Sequence, residues 1–138
     1  MDVERNLELI RRPGPTFDEL SQRVINAAIE VHKRLGPGFR EELYENALCI
    51  ELTKRDIPFR RQMTVPVTYE GQTIGSHTID MVVEGALIVE LKALSSILEV
   101  HQQQLLSYLR AANIEVGLVL NFGAFPLQIK RVVNRYNA

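Results

Sequence analysis

The sequence predicts an α/β domain in which helices flank a mixed sheet of four to five strands, in the order helix, helix, three strands, helix, strand. Three observations carry this. Two early stretches repeat their apolar residues with the helical period, and the chain from Phe59 onward switches to period two. The run Ala86–Ala93 is apolar on both faces except for two charges, as a strand covered on both sides would be. A length of 138 residues suits one domain and is short for two. With 46% hydrophobic and 24% charged residues the composition is that of a folded globular chain.

Residues 1–15 form a polar arm that ends in the breaker cluster Pro13-Gly14-Pro15, so a single domain is expected over 16–138 with the arm as a tail or docking segment. Thr16 and Glu19 have capping-box spacing, and Leu20, Val24, Ala27, Ala28, Val31 and Leu35 follow at helical intervals. A first helix is therefore expected from about Phe17 to Leu35, stopped by Gly36-Pro37-Gly38. A second, from about Glu41 to Arg55, is expected to bury Leu43, Ala47, Leu48 and Leu52, with cations in its last turn.

Phe59, Met63, Val65, Val67 and Tyr69 then share one face of a strand that ends at Glu70-Gly71-Gln72. Thr73–Val83 reads as the next strand, with Ile79, Met81 and Val83 facing one way and Thr78, Asp80 and Val82 the other. After Glu84-Gly85 comes the doubly apolar run. A third helix is expected over about Ile97–Ala112 and a further strand over Val116–Phe122. The pattern of Leu127–Val133 fits a strand or a short helix equally well.

Charge and composition exclude several functions. Sixteen Lys+Arg against 17 Asp+Glu leave a net charge of -1, which gives no protein-wide attraction for nucleic acid or acidic membrane. Cys49 is the lone cysteine and the three His lack Cys partners at zinc spacing, so a reducing compartment and no structural zinc are expected. No apolar run approaches the ~18 residues needed to span a bilayer, and the first residues do not resemble a signal peptide. A cytoplasmic protein with no membrane partner is the expectation.

Three charges stand where a buried sheet should have none. Glu90 and Lys92 lie two apart on the central run, hence on one face, and Asp80 interrupts the preceding strand. Whether Asp80 joins them depends on hairpin register. A two-residue loop at Glu84-Gly85 would pair Asp80 with Val89 and send Glu90 to the other side. A three-residue loop, Glu84-Gly85-Ala86, pairs Val83 with Leu87 and Asp80 with Glu90. Two adjacent carboxylates repel unless a proton or cation intervenes, and oxygen donors suit Mg²⁺ or Mn²⁺ better than zinc. A hard cation beside an ammonium is the equipment of phosphodiester hydrolysis. An ion pair at a solvated strand end would account for the same spacing.

Asp80 followed at this distance by Glu90-Leu91-Lys92 resembles the signature of the PD-(D/E)XK nuclease superfamily. Gly38-Phe39-Arg40-Glu41-Glu42-Leu43-Tyr44 resembles the motif that names its GxxExxY family, and Gln104-Leu105-Leu106-Ser107-Tyr108 is similar to the Q-x-x-x-Y helix of RecB-type exonucleases. The resemblance implies a three-layer restriction-endonuclease-like fold and a nuclease that cuts DNA with Mg²⁺ or Mn²⁺. It assigns Asp80, Glu90, the Leu91 carbonyl and Glu41 to the metal, with Glu42 as substitute, and makes Lys92 the catalytic lysine. Gln104 and Tyr108, one turn apart, would support the site or touch nucleic acid. Tyr44 reads better as a core aromatic, and His101 as a packed or surface residue. Relatives of this branch carry an Arg just before the Asp, where Thr78 and Ile79 stand here.

The basic pairs Lys33-Arg34, Lys54-Arg55, Arg60-Arg61 and Lys130-Arg131 are candidates for phosphate contacts. Neutral net charge implies modest DNA affinity, which a homodimer or a partner protein could supplement. The reading from a different class is a catalytically inactive nuclease-fold protein that binds nucleic acid or protein and keeps the ionisable trio as a structural network.

Overall fold

The structure, a computed structural model, describes residues 15–135, with side chains from Glu19 onward. Apart from Pro15, the polar arm lies outside the described residues, as does the Thr16 side chain on which the expected cap rests. Helix α1 spans Pro15–Leu35. It opens on a proline, whose missing N–H has no partner to lose in a first turn. Leu20, Val24, Ala27, Ala28 and Val31 form its buried stripe. Helix α2 spans Glu41–Lys54 and buries Tyr44, Leu48 and Leu52, one turn apart. Leu43 was expected in this core but is 38% exposed, because it lies about 100° round the helix from that stripe.

The sheet has five strands in the order β1-β2-β3-β4-β5. They are β1 Phe59–Tyr69, β2 Gln72–Val83, β3 Leu87–Lys92, β4 Val116–Asn121 and β5 Gln128–Val133. The β3–β4 pair is parallel and the others are antiparallel. Helix α3, Glu99–Ala112, makes the connection from β3 to β4. Met81, Val83, Leu87, Val89, Leu91, Leu118, Leu120 and Phe122 pack against α1 and α2. Ile79, Val82, Ile88 and Val119 pack against Leu105, Tyr108 and Leu109 of α3. The result is three layers, helix–sheet–helix, of the restriction-endonuclease-like type. The ambiguous tail is a strand, and it covers the edge that β4 would otherwise leave unpaired.

Side-chain alternation in β1 and β2 departs from strict period two. Ile79 belongs to the α3 side, whereas Met81 and Val83 belong to the α1/α2 side. Likewise Phe59 packs on one side and Met63 and Val65 on the other. Both breaks fall between the pairs Arg61↔Met81 and Met63↔Ile79, where Gln62 adopts a left-handed φ of 49° beside Asp80. The strands twist locally there, and Asp80 sits at the break.

The β2–β3 turn takes the three-residue form. Val83 pairs with Leu87, Val82 with Ile88 and Met81 with Val89. Glu84 and Gly85 have φ of 51° and 67°, and the Ala86 N–H donates to the Val83 carbonyl at 3.0 Å. The same register carried to the next pair sets Asp80 opposite Glu90.

At the other end of the sheet, Asn121 is fully buried and acts as a latch. Its amide oxygen accepts from the N–H of Leu94 at 2.8 Å and of Gly123 at 3.1 Å, and its nitrogen donates to the Leu94 carbonyl at 3.0 Å. The segment after Lys92 is thereby tied to β4. Gly123 is obligatory beside it, since a Cβ there would lie 2.3 Å from the Leu94 carbonyl oxygen. Asn121→Ala orphans several buried backbone groups at once, and chemical denaturation is expected to show a loss of about 2–4 kcal/mol.

Candidate active site

Asp80 and Glu90 clasp each other across β2 and β3. The Asp80 N–H donates to a Glu90 carboxylate oxygen at 2.9 Å, and the Leu91 N–H donates to an Asp80 carboxylate oxygen at 2.9 Å. Each acid thus uses one oxygen to close the ladder where a regular backbone pair would stand. Glu90 is 6% exposed. Burial, then the neighbouring Asp80 carboxylate, pushes its carboxyl up to about 8, so it holds a proton at neutral pH when no cation is bound. Burial also pushes Asp80 up, while the hydrogen bond from Leu91 and the charge of Lys92 act against the rise.

Lys92 ends β3 two residues beyond Glu90, half-buried. Its charge favours the ionised forms of Asp80, Glu90 and Glu41, yet among the described residues it makes no ion pair with any of them. An ion pair at a solvated strand end therefore does not describe this trio: the carboxylate is buried and the ammonium is unpaired.

Glu41 is the first residue of α2. Partial burial pushes its carboxyl up, Lys92 pulls it down, and Asp80 and Glu45 raise it further, so helix α2 does bring an acid within the field of the strand residues. Tyr44 is a core residue as expected. It is fully buried, stacks on Phe122 at 4.7 Å, accepts from the Phe39 N–H and donates to the Gly36 carbonyl. Those two bonds pin the loop from which Glu41 emerges.

Helix α3 contributes unequally. Tyr108 is 8% exposed, and burial together with the Glu90 and Asp80 charges pushes its phenol up, so its hydroxyl is a donor near the acids. Gln104, one turn earlier, is exposed on the helix surface, and among the described residues it makes no hydrogen bond to either carboxylate. His101 caps its own helix, its Nδ1 accepting from the Leu98 N–H at 2.9 Å.

Two residues of this neighbourhood, Glu45 and Gln62, escaped the sequence reading, and Arg61, expected as a phosphate contact, is instead paired with Glu45. Glu45 is buried and faces Asp80, whose carboxyl its charge raises. Arg61 neutralises it at 2.8 Å, and the Gln62 amide donates to it at 3.1 Å. The spacing of Glu45 from Glu41, one helical turn on the same face, was a legible signal. The backbone of Gln62 had none.

Among the described residues no three His, Cys, Asp or Glu side chains form a metal cluster. The donors present are two carboxylates and backbone carbonyls, all hard oxygens. One or two protein carboxylates, with water and substrate phosphate completing the shell, is how Mg²⁺ is usually held, so the residues fit such an ion. A sequence model of the PD-(D/E)XK nuclease superfamily matches residues 18–132. The chain belongs to that superfamily. Searches of curated proteins and of solved structures return no match. Membership of a PD-(D/E)XK superfamily suggests nuclease-type function and a nucleic-acid partner, and its nucleases generally use divalent metals. No described helix of this superfamily member is long and apolar enough to cross a membrane.

Proposed function

We propose that this PD-(D/E)XK protein, of the GxxExxY type, is a Mg²⁺- or Mn²⁺-dependent nuclease that hydrolyses DNA phosphodiester bonds, with its domain over residues 16–138. The reading rests above all on the reciprocal Asp80–Glu90 clasp, with the Lys92 ammonium, which makes no ion pair among the described residues, on the same strand. Asp80 and Glu90 would hold the ion with their remaining oxygens, helped by the Leu91 carbonyl, and Glu41 would add negative charge from α2. A bound divalent ion supplies polarisation of a phosphoryl oxygen and acidification of water. Lys92 would position the attacking water or neutralise the charge that develops on phosphorus-bound oxygen. Tyr108 donates toward the acids and fixes their orientation, and Gln104, exposed one turn away, contacts the nucleic-acid strand.

A near-neutral chain makes binding weak and salt-sensitive, and a homodimer or partner protein supplies further positive surface. The test is incubation of labelled single-stranded, double-stranded and branched DNA with Mg²⁺, Mn²⁺ or EDTA. Metal-dependent cleavage by wild type and none by Asp80→Ala is expected. Intact DNA under every condition would leave the inactive binding module as the function.

A further inference from the structure

A recess of about 240 Å³ opens between the C-terminal part of α1 and the turn that joins β4 to β5. Ile29, Phe125, Leu127 and Ile129 make it apolar, and His32 and Lys33 complete its lining. His32 is 4% exposed, and its Nε2 has no hydrogen-bond partner among the described residues. Such a position on a buried helical stripe is ordinarily filled by an aliphatic side chain, because an unpaired buried nitrogen carries a desolvation cost. Phe125 lies over it, the two rings stacked at 5.6 Å and 27°. Yet Phe125 is 79% exposed, an aromatic face left to solvent.

Phe122 ties the recess to the backbone of β3. Phe122 lies 6.1 Å from the His32 ring, and its backbone N–H donates to the Lys92 carbonyl at 2.8 Å. Its volume is below that of sites for whole drug-sized ligands and suits one planar ring system. An aromatic face, a buried hydrogen-bonding nitrogen and a cation are what a nucleotide uses: a surface to stack on, an edge partner and a phosphate partner.

We propose that this recess takes an unpaired nucleobase of the nucleic-acid substrate next to the scissile phosphodiester, a proposal that rests on the nuclease reading above. The base stacks on Phe125, its edge bonds to the His32 ring, and the flanking phosphate meets Lys33. A base inside a closed duplex is stacked on both faces and paired at its edge, so it does not enter. The protein therefore distinguishes single strands and frayed ends from closed duplex.

The experiment is fluorescence anisotropy in EDTA with a labelled single-stranded DNA and a blunt hairpin of the same sequence, on wild type, Phe125→Ala and His32→Leu. Phe125→Ala is expected to weaken single-strand binding about 10-fold. His32→Leu, which fills the same space without the nitrogen and should fold at least as stably, is expected to weaken it several-fold. Hairpin affinity should stay unchanged for both. Single-strand binding equal to wild type in both variants, or an equal loss on strand and hairpin, would overturn the proposal. Cleavage assayed in parallel separates the two readings. Selective loss of single-strand binding in a protein that cuts nothing with Mg²⁺ or Mn²⁺ keeps the recess and overturns the nuclease, and cleavage with binding indifferent to both variants does the reverse.

Discussion

Asp80→Asn is expected to lower metal-dependent DNA cleavage by about 10²–10³-fold or more, and Lys92→Ala by a similar factor, with folding intact in both. The two losses should differ in kind. Asn keeps an oxygen that can accept from the Leu91 N–H, so the β2–β3 clasp survives while one of two anionic ligands is gone. Mn²⁺ should then fail to raise the melting temperature. Lys92 makes no ion pair among the described residues, so its removal should leave the metal response in place and remove only the cation that acts during the chemical step. Single-turnover cleavage together with thermal shifts in Mn²⁺ resolves both. A Lys92→Ala protein that cuts at the wild-type rate would show that this ammonium serves only to balance the neighbouring acids.

Much of this arrangement was legible in the sequence, because the physics involved is local. Gly36-Pro37-Gly38 closed α1, and a buried strand with Glu90 and Lys92 on one face announced itself by violating the rule that charges stay out of cores. The register argument needed only loop parity, and the left-handed Glu84-Gly85 pair supplies the odd loop. What was not legible depends on partners distant in sequence. Leu43 was assigned to the core because its neighbours are apolar, but the stripe that meets the sheet is set by Tyr44, Leu48 and Leu52. The break at Gln62 and Asp80 leaves no mark in a period-two pattern, so Ile79 was placed on the wrong side. Gln104 and Tyr108 share a motif, yet only Tyr108 is buried, since helix rotation against β4 decides which of two residues one turn apart points inward.

The second large effect is a stability that falls as pH rises, removed by Glu90→Gln. In the unfolded chain the Glu90 carboxyl titrates near 4.5, and in the folded protein burial and Asp80 push it up to about 8. Below the lower value both states keep the proton and the group makes no difference. Between the two, the unfolded chain gives up a proton that the folded protein retains, so each increment of pH favours unfolding. The loss is complete once pH passes the folded value, and it amounts to something on the order of 5 kcal/mol. Gln at this position accepts the same hydrogen bond from the Asp80 N–H without ever ionising. At pH 9 and without metal, Glu90→Gln should therefore melt roughly 15 °C above wild type, and at pH 4 the two should coincide. Asp80 is also pushed up by burial, so a shallower slope should persist in the variant. Mn²⁺ reverses the ranking. Since the ion must displace the Glu90 proton, its stabilisation of wild type should grow from pH 6 to pH 9, while Glu90→Gln should gain little at any pH. Melting curves at several pH values, with Mn²⁺ and with EDTA, read all of this. Parallel pH profiles for the two proteins would locate the retained proton on another group and remove the reason for expecting a cation between these strands.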